Sequence, residues 1–133
     1  MRPPPGRAGA LLLRAGEVVA GAEAALERRR SGRPERSIPH RDLARGPARL
    51  AQALGVTLAD SGTLLAPVDD VAADGPRLEL QPAPAPAFVA RGPRVGVAGP
   101  GGGAEYQWRF WLDGESTVSV YRAAVRRKGA GPR

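Results

Sequence analysis

The sequence predicts an α+β fold with a mixed, mainly antiparallel sheet and two short helices. Three observations carry this. Apolar runs of strand length recur at residues 10–19, 88–97 and 106–112, the last two joined by a glycine-rich stretch that reads as a hairpin loop. Residues 20–30 and 47–54 carry apolar positions at helical spacing. These pieces do not alternate as regular βαβ units, which excludes a wound parallel sheet. At 133 residues the chain has the size of one domain and can bury a core. With aromatics at only 5%, that core is expected to be Leu, Val and Ala.

Each element has a local reason. Residues 1–8, rich in Pro, Gly and Arg, form a disordered leader. Residues 10–19 read as a buried strand with a turn near Gly16. Residues 20–30 read as a helix whose apolar face is Ala22, Ala25 and Leu26. Arg28, Arg29 and Arg30 sit at its C-terminal end, where the dipole favours cations and the run reads as solvated. A polar loop punctuated by Gly32, Pro34 and Pro39 follows, then a turn of helix over 42–44. Pro47 opens a second helix in the first position, where proline is tolerated, and Gly55 closes it as a C-cap after Leu50, Ala53 and Leu54.

Residues 57–76 are mostly loop, with one turn of helix over 63–65 and a short strand over 78–80. The proline repeat at 82–86 is extended and cannot sit inside a sheet. The strand over 88–97 is kinked at Gly92-Pro93. The strand over 106–112 alternates Trp108, Phe110 and Leu112 against Gln107, Arg109 and Trp111. Asp113-Gly114 makes a turn, 117–121 is a last extended piece, and 123–133 is a basic tail.

The formal charge of +7 is almost entirely arginine, Lys128 being the one lysine. A basic balance suits a polyanion such as nucleic acid, although abundant Ala, Gly and Pro beside the arginine also mark a GC-rich genome. The absence of cysteine excludes disulfides, thiolate metal sites and a Cys nucleophile, and it fits a reducing, cytoplasmic setting. No apolar run approaches the ~20 residues of a membrane span. Arg14 and Glu17 break the apolar run at 11–13 too early for a signal peptide.

Several candidate sites resolve to ordinary structure. The run Gly99-Pro100-Gly101-Gly102-Gly103 resembles a phosphate cradle, but a strand follows it where a cradle needs a helix. His40, the single histidine, has no cysteine or carboxylate cluster for a metal site and no Gly-x-Ser-x-Gly elbow for a triad. Glu105 beside Tyr106 lies at a hairpin mouth and reads as a solvated carboxylate. Two places keep a chemical reading. Arg45 and Arg49, at i, i+4 spacing, flank a helix N-terminus, where amides and cations together suit a phosphate. Arg14 lies in an apolar strand, where a permanent charge is costly unless paired. It is either a sheet-edge residue or an anion or substrate contact.

Four stretches together resemble the alkyladenine (3-methyladenine) DNA glycosylase family. They are Leu11-Leu-Leu-Arg-Ala15, then Arg41-Asp-Leu-Ala-Arg-Gly-Pro-Ala-Arg-Leu-Ala-Gln-Ala-Leu-Gly55. Gly92-Pro-Arg-Val-Gly-Val97 follows, and then Trp108-Arg-Phe-Trp-Leu112 with Ser116-Thr-Val-Ser119. They stand in the family's order over residues 9–122 and match its C-terminal half, so the domain is expected to be an incomplete one. The resemblance implies hydrolysis of the N-glycosidic bond of alkylated or deaminated purines in base excision repair. It implies double-stranded DNA carrying a damaged purine as partner, no metal or organic cofactor, no membrane, and a monomer. By position it implies Arg14 as the catalytic, water-positioning arginine, Val95 as a substrate-site residue whose backbone helps hold that water, Leu12 as a substrate-pocket wall, and Arg49 as a DNA-phosphate contact, which Arg45 joins by its spacing alone.

The family's Glu-Ala-Tyr motif, with its general base, has no counterpart in this sequence, nor do its histidine and tyrosine-rich strand. Loss of a general base forfeits on the order of 10²–10⁴-fold in rate. The expectation is therefore a truncated gene product or a misplaced start codon, inactive in excision alone and exposing the strand at 11–13 as a sheet edge. The other reading is a non-catalytic basic DNA-binding remnant.

Overall fold

The structure, a computed structural model, describes residues 6, 9–63, 79, 81, 83–86 and 88–122. Its contacts divide into two compact units, Met1–Ser61 and Gly62–Arg133. Together the described residues hold two α-helices, three single turns of 3-10 helix and one two-stranded antiparallel sheet, a small α+β fold. The expected residues 1–5, 7–8, 64–65, 78, 80, 82 and 123–133 lie outside the described set. With them go most of the leader, the turn expected over 63–65, all but Glu79 of the strand over 78–80, and the tail.

The first unit is a helix pair. Helix α1 spans Ala22–Arg30 and α2 spans Pro47–Leu54. Helix α1 starts two residues later than expected, because Gly21 holds φ 68° and leaves the helical region. It ends at Ser31, a non-glycine residue at φ 49°. That conformation is held because the Ser31 hydroxyl donates to the Arg28 carbonyl (3.1 Å) and its N–H to the Glu27 carbonyl (3.4 Å). Helix α2 has Pro47 in its first turn and Gly55 as its C-cap, as expected. The 3-10 turn before it spans His40–Asp42, two residues upstream of the turn expected at 42–44. Pro39 sets that place, its carbonyl accepting from the Asp42 N–H (2.8 Å).

The core of this unit is Ala25, Leu43, Ala44 and Ala53, with Val18, Ala22, Leu26, Ile38 and Leu50 partly buried against it. Three alanines and one leucine make a thin seam, so the helices approach closely. The arginines of α1 extend that seam. Arg28 Nη1 donates to the Ala53 carbonyl (3.0 Å), Arg29 Nη1 to Gln52 Oε1, and Arg30 Nε to the Arg36 carbonyl (3.1 Å). Arg29 is only 6% exposed. The run read as a solvated helix end is thus a clamp at Arg28 and Arg29. The α2 C-terminus offers carbonyls and an amide oxygen within reach, and a guanidinium satisfies them while its stem packs.

The strand expected over 10–19 does not form as a buried strand. The segment is extended, but Leu11, Leu12 and Leu13 are largely exposed, and its one bridge pairs Ala15 with Arg45. A strand needs a hydrogen-bonding neighbour along its length. Here one bridge and the Gly16 N–H to Ala44 carbonyl bond (3.4 Å) are its ladder among the described residues.

After α2, a 3-10 turn over Leu58–Asp60 closes with a capping box. The Thr57 hydroxyl accepts from the Ala59 N–H (3.2 Å). Asp60 Oδ2 accepts from the Thr57 N–H (2.7 Å) and hydroxyl (3.0 Å).

In the second unit, β1 (Ala90–Gly92) pairs antiparallel with β2 (Arg109–Trp111), Arg91 opposite Phe110. Both strands are shorter than expected. Pro93 lacks an N–H and ends β1 where a kink was expected. Gly92 also fits closely, since a Cβ there would stand 3.0 Å from the Trp111 ring. The alternation of β2 sets two faces. Arg109 lies 4.0 Å from the Trp111 ring centroid and 5.7 Å from that of Tyr121, while Arg91 covers Phe110 at 5.2 Å. The Tyr106 and Trp108 rings meet edge-on at 5.0 Å. The connection includes a 3-10 turn at Pro100–Gly102 and no helix follows it, as expected for a hairpin loop. The Asp113-Gly114 turn forms. The piece at 117–121 begins as a turn and not a strand, the Val118 N–H bonding back to the Glu115 carbonyl (3.0 Å). The repeat at 83–86 is exposed and outside any strand.

Two measurements test this packing. Gly55 stands at φ 74°, and a Cβ there would lie 3.2 Å from Arg28 Nε. Gly55→Ala should lower stability by about 1–2 kcal/mol in urea unfolding. The Thr57 N–H first, and its hydroxyl second, hold the Asp60 carboxyl below its ordinary value. A depressed carboxylate contributes stability above its unfolded pKa and loses it as pH falls through the folded one. An NMR titration of Asp60 should therefore give a midpoint below the usual aspartate range, moving part of the way back in Thr57→Val.

Candidate functional site

Burial of Leu43 and Ala44 pins the backbone between Asp42 and Arg45. With two residues between them, an i, i+3 spacing, acid and arginine emerge on one side. Arg45 Nη1 donates to Asp42 Oδ1 at 3.4 Å, and Arg49 Nη1, on the first turn of α2, stands 3.9 Å from the same oxygen. Arg45 and Arg49, paired by spacing in the sequence, are therefore brought together around one carboxylate. The Arg49 side chain is 48% exposed, those of Arg45 and Asp42 about half that.

Behind this surface lies Arg29. Burial lowers its pKa most, then the charges of Arg49 and Arg36, while Asp42 acts the other way. An arginine keeps its proton under any working condition, so the site holds a buried positive charge. Its Nε has no hydrogen-bond partner among the described residues. Four arginines (29, 36, 45 and 49) and one carboxylate leave a local field that favours an added anion.

Arg14 is half-buried, one residue before the Ala15–Arg45 bridge, and makes no hydrogen bond or ion pair among the described residues. The bridge ties its segment to the arginine site. Leu12 is 64% exposed. Val95 belongs to the second unit, half-buried in the turn after β1. His40 is exposed in the 3-10 turn, and Glu105 is exposed beside the hairpin. Among the described residues no three His, Cys, Asp or Glu side chains gather as a metal site, and no helix is long and apolar enough to cross a membrane.

Sequence reasoning missed Asp42, Arg29 and Gln52. Asp42 had a readable signal in its i, i+3 relation to Arg45. Arg29 had none, because its burial follows from the packing of α2 against α1, where it meets Gln52.

These features belong to a chain of known lineage. The methylpurine-DNA glycosylase family model matches residues 2–116, and the chain belongs to that family. Three relatives, each named "Putative 3-methyladenine DNA glycosylase", are similar over most of this chain. The protein from Leifsonia xyli subsp. xyli is 52% identical over 90% of the chain and 52% of its own length. Those from Streptomyces avermitilis and Nocardia farcinica are 48% and 46% identical, over 94% and 96% of the chain and 54% of their own lengths. The chain thus spans about half the length of the curated relatives it matches.

The buried charge has a measurable consequence. Arg29→Ala leaves Gln52 Oε1 without its donor and should lower stability by about 1–3 kcal/mol in urea unfolding. Arg29→Lys keeps the charge but not the planar fork and should recover only part of that loss.

Proposed function

We propose that this chain contributes to a DNA glycosylase of the alkyladenine type, acting on duplex DNA with a damaged purine. In this reading Arg45 and Arg49 contact a backbone phosphate. The observation that carries it is their shared approach to one oxygen, within a family of methylpurine-DNA glycosylases. An oxyanion between two guanidiniums is the contact a phosphate oxygen makes.

Arg14 is assigned the positioning of the attacking water, and Leu12 a wall of the pocket for the extruded base. Hydrolysis of the bond between purine and sugar needs a flipped nucleotide, an activated water and a proton acceptor. An arginine cannot take that proton, because it carries no free base at working pH. Arg14 therefore orients the water, and the general base is a carboxylate that these 133 residues do not supply in a Glu-Ala-Tyr motif. This chain alone is assigned DNA binding without meaningful excision, as a soluble monomer that needs no metal or organic cofactor and works in the cytoplasm.

Incubation with duplex oligonucleotides carrying hypoxanthine or ethenoadenine tests the assignment. The 133-residue chain should bind with an affinity that falls steeply with salt and release no base. Arg49→Ala should weaken binding to all sequences alike and reduce the salt slope by about one. Base release by this chain would overturn the assignment of inactivity, and an unchanged salt slope in Arg49→Ala would overturn the phosphate contact.

A further inference from the structure

Asp42 stands where the proposed phosphate contact would form. Its Oδ1 lies 3.4 Å from Arg45 Nη1 and 3.9 Å from Arg49 Nη1. A DNA phosphate cannot occupy the space between those two donors while the carboxylate remains there. We infer that Asp42 is an internal stand-in for the phosphate, a competing anion that the DNA backbone displaces and that sets the affinity of this site. The inference rests on the reading of Arg45 and Arg49 as phosphate contacts and adds to it a residue that opposes binding.

The geometry favours displacement over permanent pairing. Strong guanidinium–carboxylate bonds lie near 2.7–2.9 Å and are often two-pronged. Here both approaches are longer and converge on a single oxygen. The site is partly solvated, where such pairs are weak. The turn that carries Asp42 is held without help from the arginines, through the Asp42 N–H to Pro39 carbonyl bond at 2.8 Å and the burial of Leu43, while the side chain can rotate away. The arginines are thus free to change partner while the turn stays formed. Asp42 also opposes the depression of the buried Arg29 charge that Arg49 and Arg36 cause. A backbone phosphodiester, with the same single negative charge in the same place, would do this equally well. The exchange therefore replaces one counter-anion of the cluster with another and leaves no cation bare.

The opposite role is a carboxylate that orients Arg45 and Arg49 for DNA. It predicts the reverse sign on removal, so one measurement separates them. Binding of an undamaged fluorescent duplex is followed by anisotropy for the wild type, Asp42→Asn, Arg45→Ala/Arg49→Ala, and the triple variant. Asp42→Asn should tighten binding about 2- to 5-fold at low salt, the worth of one partly exposed charge pair. That gain should vanish in the double-arginine background. Weaker or unchanged binding by Asp42→Asn, or a gain that survives without the two arginines, overturns the inference while the phosphate reading stands. Unweakened binding by the double-arginine variant overturns the phosphate reading itself and the inference with it. A measurement on the wild type stands apart from any folding defect of the variants. Saturation with the duplex should shift the Asp42 carboxyl carbon and the Arg45 and Arg49 side-chain resonances in NMR spectra, and an unmoved Asp42 carboxyl overturns the exchange.

Discussion

The first unit depends on the clamp between the end of α1 and the end of α2. Its apolar core is Ala25, Leu43, Ala44 and Ala53, too little surface to hold two short helices strongly by the hydrophobic effect alone. Arg28 and Arg29 add the missing contacts. Arg29 is buried against the seam, and both guanidiniums fill acceptors near the α2 terminus, at the Ala53 carbonyl and Gln52. Small side chains make the clamp possible, because alanine at the seam lets α2 come within reach of an arginine from the neighbouring helix.

That arrangement also shapes the electrostatics. A buried Arg29 feels the charges of Arg49 and Arg36, and among the described residues Asp42 is the acid that acts against them. Structure and chemistry draw on the same residues. The clamp that holds the helices supplies the field, and the pinned segment Leu43–Ala44 fixes both the acid and one of its arginines. The bridge from Ala15 to Arg45 then places Arg14 within the same unit. In the second unit arginine has a different use. Arg91 and Arg109 cover aromatic rings on the two faces of a short hairpin.

Much of the fold was legible because it depends on local chemistry. Pro47 and Gly55 bound α2 by their own backbone preferences, and Ala22, Ala25 and Leu26 marked the inner face of α1. Arg45 and Arg49 do come together, but at the Asp42 carboxylate and not on one helix face, since Arg45 stands in a bridge before α2 begins. The misreadings lie where a neighbour decides. The run at 11–13 is apolar enough for a buried strand, yet burial needs partners that a pattern of side chains does not supply. Arg28 to Arg30 look solvated by composition and dipole, but the approach of α2 buries Arg29, while Arg28 stays exposed and bonds the Ala53 carbonyl. The strands around Gly92 and Phe110 are shorter than their patterns, since pairing stops where Pro93 removes a donor.

The sequence by itself determined the two helices, their caps, the hairpin turn chemistry, the arginine-rich charge and the likeness to the methylpurine-DNA glycosylases. Each of these is written in residues close together along the chain, or in motifs kept in order. Only the tertiary structure decided that Arg29 is buried, that Asp42 stands between Arg45 and Arg49, and that Leu11 to Leu13 face outward. Those outcomes depend on which segments meet through space. Whether a charge is buried, paired or exposed is a property of its neighbours; Asp42 at least had an i, i+3 relation to Arg45 to read, whereas Arg28 and Arg29 meet partners 25 and 23 residues away that leave no periodicity for a sequence pattern to record.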